Sequence, residues 1–215
     1  MDQFEFNFDF DNDTFVEQQT KRKECSKCHL HPNICICQLI PNEKSYDNHP
    51  QIIILQDQRE ALNKENTVKL IDRFFKNVIM CKKKLPPKIV EQIKEHPEKY
   101  ATVFPSKNAK VIDQSDDISF TKNYEYLIMI DGTWDQARSI YHQNEVLQLI
   151  DTLILTKGKE YCQYSSIRKE IDGGMSTFEA TIQTMFLITN DEFLRNERER
   201  IMKEFTEMRL KFISK

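Results

Sequence analysis

The sequence predicts an α/β domain with a mostly parallel sheet and helices on both faces. Three observations carry that expectation. Apolar runs of strand length recur at Ile52-Ile53-Ile54-Leu55, Ala101-Thr102-Val103-Phe104, Tyr126-Leu127-Ile128-Met129-Ile130 and Thr152-Leu153-Ile154-Leu155. Between them apolar residues step by three and four, the period of an amphipathic helix. A chain of 215 residues holds one such domain with small extensions. Strands that alternate with helices favour parallel pairing, because each helix serves as the crossover.

Taken in order, residues 1 to 22 form an acidic segment in which Phe4, Phe6, Phe8 and Phe10 alternate with Asp and Asn. The alternation suits a strand, but the density of Asp and Asn favours a flexible tail. Residues 23 to 40 hold a cysteine module. The run Ile52–Leu55 opens the main unit, expected over residues 50 to 190, and ends in the polar Gln56-Asp57-Gln58-Arg59-Glu60. Val68, Ile71, Phe74, Phe75, Val78 and Ile79 mark one face of a helix over about residues 65 to 80. Pro86-Pro87 stops its continuation, and a second helix near 88 to 96 halts before Pro97.

Tyr126–Ile130 is followed by Thr133, which with Gln136 reads as a capping box for a helix running to about Leu149. After the strand at Thr152–Leu155 comes a long polar loop, Thr156 to Met175, of the kind that often carries function. Ser176 and Glu179 read as a second capping box, ahead of a helix with Phe178, Ile182, Met185 and Phe186 on one face. Leu194, Ile201, Phe205, Met208 and Phe212 define an amphipathic C-terminal helix over residues 191 to 215.

Composition narrows the classes. No apolar run approaches the roughly 20 residues of a transmembrane helix, and the N-terminus lacks a basic-then-apolar leader pattern, so a soluble intracellular protein is expected. The net charge is −3, yet residues 1 to 24 carry seven acids against three bases. The rest of the chain is near neutral, with basic patches at Lys82-Lys83-Lys84, Lys88 and the C-terminal helix. Such runs are usually solvated faces.

Four of the six cysteines fall within thirteen residues, as Cys25-x2-Cys28-x6-Cys35-x-Cys37. In an intracellular chain this pattern points to one tetrahedral zinc held by four thiolates, a closed structural site. His29 and His31 are alternative ligands. Cys81 reads as a small core residue.

The candidate ligand site rests on two segments. Asp131 ends a buried strand where a helix begins, the position at which open α/β sheets place their ligands. It can serve the helix macrodipole, act as a general base or orient a substrate amide. Trp134, the only tryptophan, is either core or a stacking platform for a base. Arg138 follows one turn later, toward the same pocket or as a surface cation. In the long loop Arg168 and Lys169 can hold a carboxylate or phosphate, Arg168 as the better fork, or lie in solvent. Gly173-Gly174 gives the backbone freedom to approach a ligand, and Ser176 and Thr177 begin a helix whose free N–H groups suit an anion. Phosphate-loop, dinucleotide-fingerprint, zinc-protease and nucleophile-elbow motifs are missing from the sequence. The residues alone therefore lead to an enzyme or binder with an anionic or zwitterionic ligand.

These residues resemble the DTW-domain family of tRNA-uridine aminocarboxypropyltransferases over roughly residues 23 to 190. The matching segments are the cysteine motif, Ile52 to Glu60, Asn66-Thr67, Phe104-Pro105-Ser106, Asp131-Gly132-Thr133-Trp134-x-x-Ala137-Arg138, Tyr164-x-x-Ile167-Arg168-Lys169 and Ser176-Thr177-Phe178-Glu179-Ala180. Their order is more specific than any one of them. The chain departs from the family at Asp57-Gln58, where His-Pro is usual.

The resemblance implies transfer of the 3-amino-3-carboxypropyl group of S-adenosylmethionine to N3 of a tRNA uridine, with release of 5′-methylthioadenosine. It implies catalytic roles for Asp131, Trp134 and Arg138. It implies S-adenosylmethionine contacts from Phe104, Pro105, Gly132, Thr133, Arg168, Lys169, Ser176, Thr177 and Glu179, and zinc at Cys25, Cys28, Cys35 and Cys37. A relation to SPOUT enzymes implies a trefoil knot near residues 125 to 190, against the general rarity of knots. A monomer or homodimer in the cytoplasm or nucleus is expected, with tRNA as partner and no membrane. The competing readings are an S-adenosylmethionine-dependent RNA methyltransferase and a non-catalytic zinc-containing RNA-binding protein.

Overall fold

The computed structural model describes residues 24–42, 44, 46–47, 49–63, 66–113, 117–156 and 175–213. Six strands form one sheet: β1 (Gln51–Gln56), β2 (Ile79–Cys81), β3 (Tyr100–Val103), β4 (Lys110–Ile112), β5 (Tyr126–Asp131) and β6 (Asp151–Leu155). Their order is β2-β1-β5-β3-β6-β4, and every pairing is parallel. The helices are α1 (Gln58–Leu62), α2 (Val68–Phe74), α3 (Pro87–Glu95), α4 (Trp134–Gln143), α5 (Thr177–Thr189) and α6 (Glu192–Ile213).

Alternation along the central strands explains the layering. Ile52 and Ile54 of β1, with Leu127 and Met129 of β5, join the core under α2, α5 and α6. Ile53, Leu55 and Ile128 point to the other face and pack with Ile89 and Ile93 of α3 and Ala137, Ile140 and Tyr141 of α4. A strand buried on both faces has no polar side to show, hence the unbroken apolar runs in the sequence. Leu30, Ile34, Ile36, Leu39 and Ile40 of the cysteine module share the first core with Ile201, Met202 and Phe205 of α6.

Some expected elements differ. The helix expected over residues 65 to 80 is only α2, ending at Phe74. Phe75 turns extended and bridges to Tyr46, Asn77 adopts φ 49°, and Ile79 enters the edge strand β2. The helical period of apolar residues thus runs on through a helix, a turn and a strand. Pro86-Pro87 starts α3, with Pro87 in the first turn, where its missing N–H costs nothing. The helix expected to reach Leu149 stops at Gln143, because the Asn144 side chain binds the Ile140 carbonyl and two groups of a neighbouring loop. β4 was not anticipated, being only three residues long. The tail at 1–22, Cys162, and Arg168, Lys169 and Gly173-Gly174 in the long loop lie outside the described residues, as do residues 157–174 of the stretch to which a knot was assigned. Among the described residues no helix is long and apolar enough to cross a membrane.

The topology places a crevice. After β1 the chain passes α2 on one face and moves outward to β2; after β5 it passes α4 on the opposite face and moves the other way to β6. β1 and β5 are neighbours in register through Gln56 and Asp131. Adjacent strands whose connections leave to opposite sides open a crevice at their C-terminal ends, where such sheets bind ligands.

Candidate functional site

Asp131 sits at that crevice, 4% exposed. Its Oδ1 accepts from the Thr177 hydroxyl at 2.5 Å. Its Oδ2 accepts from Asn66 Nδ2 at 2.7 Å and Gln56 Nε2 at 3.0 Å. A carboxylate offers about four acceptor positions. Among the described residues three are filled, and Oδ1 carries one of those bonds. Asp131 therefore joins β1, the loop before α2 and the start of α5, while keeping acceptor capacity toward the crevice.

Asn66 and Thr67 complete this framework. Asn66 Oδ1 accepts from the Val68 N–H at 2.9 Å and from Gln56 Nε2 at 3.3 Å. Thr67 Oγ1 accepts from the Phe178 N–H at 3.2 Å. The Asn-Thr pair thus fixes α5 against the end of β5, a role that its polar, unremarkable sequence does not announce.

The segment after Asp131 is shaped by its cap. Thr133 Oγ1 and the Gln136 backbone, and Gln136 Oε1 and the Thr133 backbone, close the expected capping box. A Cβ on Gly132 would meet Gln136 Cβ at 2.9 Å, so the cap requires glycine there. Trp134 opens α4 and is 55% exposed, which removes the core reading. Arg138 is at the surface, 4.0 Å from Asp135. Ser176 and Glu179 form the second capping box, with Ser176 N–H to Glu179 Oε2 at 2.9 Å and Glu179 N–H to Ser176 Oγ at 3.2 Å. Phe104 is buried and stacks on Tyr141 with ring centroids 4.4 Å apart, while the adjoining Pro105 is exposed.

A second charged pair was missed by the sequence reading. Asp57 is 2% exposed and lies beside Asp131, donating its N–H to the Asp131 carbonyl at 3.0 Å. Its Oδ2 is 2.9 Å from Lys83 Nζ, and its Oδ1 accepts the Arg59 N–H at 2.8 Å. The Lys83 hydrogen bond holds the Asp57 carboxyl below the usual carboxylate range. Only the three consecutive lysines hinted at this, and nothing in their spacing singled out the middle one.

The four cysteines converge. Their Sγ atoms all lie within 4.8 Å of one another, with Cys25 to Cys37 and Cys28 to Cys35 at 3.7 Å. Thiolates about 2.3 Å from a tetrahedral zinc stand about 3.8 Å apart, so the set fits such an ion. Backbone N–H groups of Cys28 and Lys27 draw the Cys25 thiol down to about 6, whereas burial pushes Cys37 up to about 12. A bound dication would favour the thiolate form at every position. His29 lies outside the cluster, and His31 Nδ1 accepts the Asn33 N–H at 3.2 Å. A cavity of about 380 Å³ lies between the module and the sheet, lined by Lys27, Cys28 and His29 on one side and Gln56 and Asn66 on the other. The cysteine cluster and the Asp131 framework thus border one space.

The DTW domain family model matches residues 22–213. The chain is 23% identical over 188 residues to tRNA-uridine aminocarboxypropyltransferase 2 of Drosophila melanogaster, covering 84% of this chain and 72% of that protein. It is 26% identical over 140 residues to tRNA-uridine aminocarboxypropyltransferase 2 of Macaca fascicularis, covering 62% of this chain and 46% of that protein. The chain thus spans less than half of the macaque relative. No solved structure matches it.

Proposed function

This chain belongs to the DTW domain family, and from that premise we propose that it is a tRNA-uridine aminocarboxypropyltransferase using S-adenosylmethionine. The observation that carries the reading is the buried Asp131 at the sheet's switch point, held by Gln56, Asn66 and Thr177 and, among the described residues, with acceptor capacity left on Oδ1. The names of the two relatives support the same reaction class.

In this reading the uracil N3–H donates to Asp131 Oδ1, which orients the base and takes up its proton. N3 forms a bond to the γ-carbon of the methionine moiety. The Cγ–S bond breaks, its electron pair neutralises the sulfonium, and 5′-methylthioadenosine leaves. The site must hold that carbon, and not the methyl, about 3–3.5 Å from N3 and in line with sulfur. Exposed Trp134 offers a surface for adenine or a flipped uracil. Arg168 is assigned to the methionine carboxylate, with Arg138 as second candidate. Gly132, Thr133, Phe104, Pro105, Lys169, Ser176, Thr177 and Glu179 are assigned to the walls that receive the donor. Ser176 and Glu179 act there by fixing the start of α5.

Zinc at Cys25, Cys28, Cys35 and Cys37 would be structural, with all four positions taken by thiolates. The tRNA is assigned to the cysteine module and the Lys82 to Lys88 segment, with salt-sensitive affinity.

The test is incubation of the purified chain with unmodified tRNA and S-adenosylmethionine labelled in the carboxypropyl carbons. Label in tRNA with an equal amount of methylthioadenosine is expected. Transfer of a methyl label with S-adenosylhomocysteine would instead establish a methyltransferase. Binding of tRNA without turnover would leave the non-catalytic reading.

A further inference from the structure

We propose that Lys83 is an anion-contacting residue of the strand-end site, positioned from both ends before any ligand arrives, with buried Asp57 as its positioning residue. The inference rests on the reading that this site takes S-adenosylmethionine and tRNA. Lys82, Lys83 and Lys84 are chemically identical, but the first and third are exposed whereas Lys83 turns inward and is partly buried. Its backbone is clamped by Asn144, which donates Nδ2 to the Lys83 carbonyl at 2.8 Å and accepts the Leu85 N–H on Oδ1 at 3.0 Å. Its ammonium is held 2.9 Å from Asp57 Oδ2. Asp57 is itself bound through its N–H to the Asp131 backbone carbonyl, so the pair stands at the same strand end as the proposed reacting group, on the side where Asn144 ends α4.

An ammonium has three donors. Asp57 engages one, and 43% of the Lys83 side chain remains exposed. A surface lysine normally loses much rotamer freedom when it grips a ligand, and preorganisation lowers that cost. β2 ends two residues before Lys83, beside β1 in a parallel sheet, which puts Lys83 on the same edge as Asp131. The ligand chemistry is an oxyanion: the methionine carboxylate of the donor or a phosphate of the RNA.

The test compares the full-length chain with Lys83→Gln, and with the double variant Asp57→Asn/Lys83→Gln, which leaves no unpaired buried charge. Calorimetry would give the affinity for S-adenosylmethionine and for 5′-methylthioadenosine, which lacks the carboxylate. Filter retention would give tRNA affinity against salt. If the oxyanion is the carboxylate, both variants bind S-adenosylmethionine roughly 10-fold or more weakly and methylthioadenosine as before. If it is a phosphate, tRNA binding weakens and its salt slope falls by about one. Folded variants that match the wild type for all three ligands would overturn the assignment and leave the pair a purely structural one. A wild-type chain that binds neither S-adenosylmethionine nor tRNA would overturn the functional reading, and this assignment with it.

Discussion

Asn66 Nδ2 lies 2.7 Å from Asp131 Oδ2, and the bond joins residues sixty-five positions apart. Asn66 also receives the Val68 N–H at its other amide atom, so one side chain both starts α2 and aims a carboxylate. Thr67, next in sequence, receives the Phe178 N–H and so ties the start of α5 to the same point. Two consecutive residues thereby set where α2, β5 and α5 meet.

Asp131→Asn separates charge from shape. The Thr177 hydroxyl can turn to accept from the new amide, while the remaining carbonyl oxygen faces Asn66 and Gln56. The fold is therefore expected to survive with a loss of roughly 1 kcal/mol, while turnover falls by about 100-fold or more. Asn66→Ala should cost more stability, about 1–3 kcal/mol, because it leaves the Val68 N–H and part of a buried carboxylate without partners. Urea midpoints together with single-turnover rates separate the two variants. Full turnover in Asp131→Asn would remove Asp131 from the mechanism.

Gly132→Ala tests the cap. A methyl group there meets Gln136 Cβ at 2.9 Å and Gln136 Oε1 at 3.2 Å, so the glutamine must leave the Thr133 N–H. Loss of the reciprocal cap is expected to cost about 1 kcal/mol. Trp134 moves with the first turn of α4, so S-adenosylmethionine or tRNA affinity should fall as well. Urea unfolding and ligand titration on the same variant would check both, and Thr133→Ala should reproduce the stability loss without the steric shift.

The sequence revealed these features unevenly. Central strands and both capping boxes were legible because burial on two faces and cap chemistry leave local marks, as at Ile52–Leu55 and at Thr133 with Gln136. β2 was not, since Val78 and Ile79 continue the apolar period of α2 and only the positive φ of Asn77 breaks it. Asp131 was legible from its place after an apolar run, but its partners were not. Gln56, Asn66 and Thr177 reach it from the neighbouring strand, the loop before α2 and the start of α5, and such contacts have no sequence period. Lys83 was hidden in a run of three lysines because register in a loop decides which one turns inward.

The Asp57–Lys83 pair predicts an acid-dependent component of stability. Lys83 depresses the Asp57 value in the folded chain. A depressed carboxylate contributes stability that is complete above its unfolded value, near pH 4, and is lost as pH falls through the folded value. Urea midpoints measured from pH 6 to pH 3 should therefore fall more steeply for the wild type than for Asp57→Asn/Lys83→Gln. Parallel curves would mean that the pair contributes no linked protonation.

Metal removal should unfold more than the cysteine loop. The four thiols are within 4.8 Å of one another, and the residues between and after them, Leu30, Ile34, Ile36, Leu39 and Ile40, are buried in the core that contains α6. Arg200 Nη2 also donates to the Leu39 carbonyl at 3.0 Å, and Arg73 Nε to the Ile40 carbonyl at 2.9 Å. Without a cation the thiols would no longer fix this segment, and its apolar residues would leave α2 and α6 uncovered. One zinc per chain is expected by elemental analysis, released on titration with a mercurial. At about 2–4 °C per kcal/mol for a chain of this size, a loss of ~3 kcal/mol lowers the melting midpoint by roughly 10 °C. Cys25→Ser and Cys37→Ser should each lose the metal and show the same drop. His29→Ala should keep the full metal content, because His29 stands outside the cluster. A chain purified with its thiols reduced, no metal and an unchanged midpoint would show that packing alone holds the module.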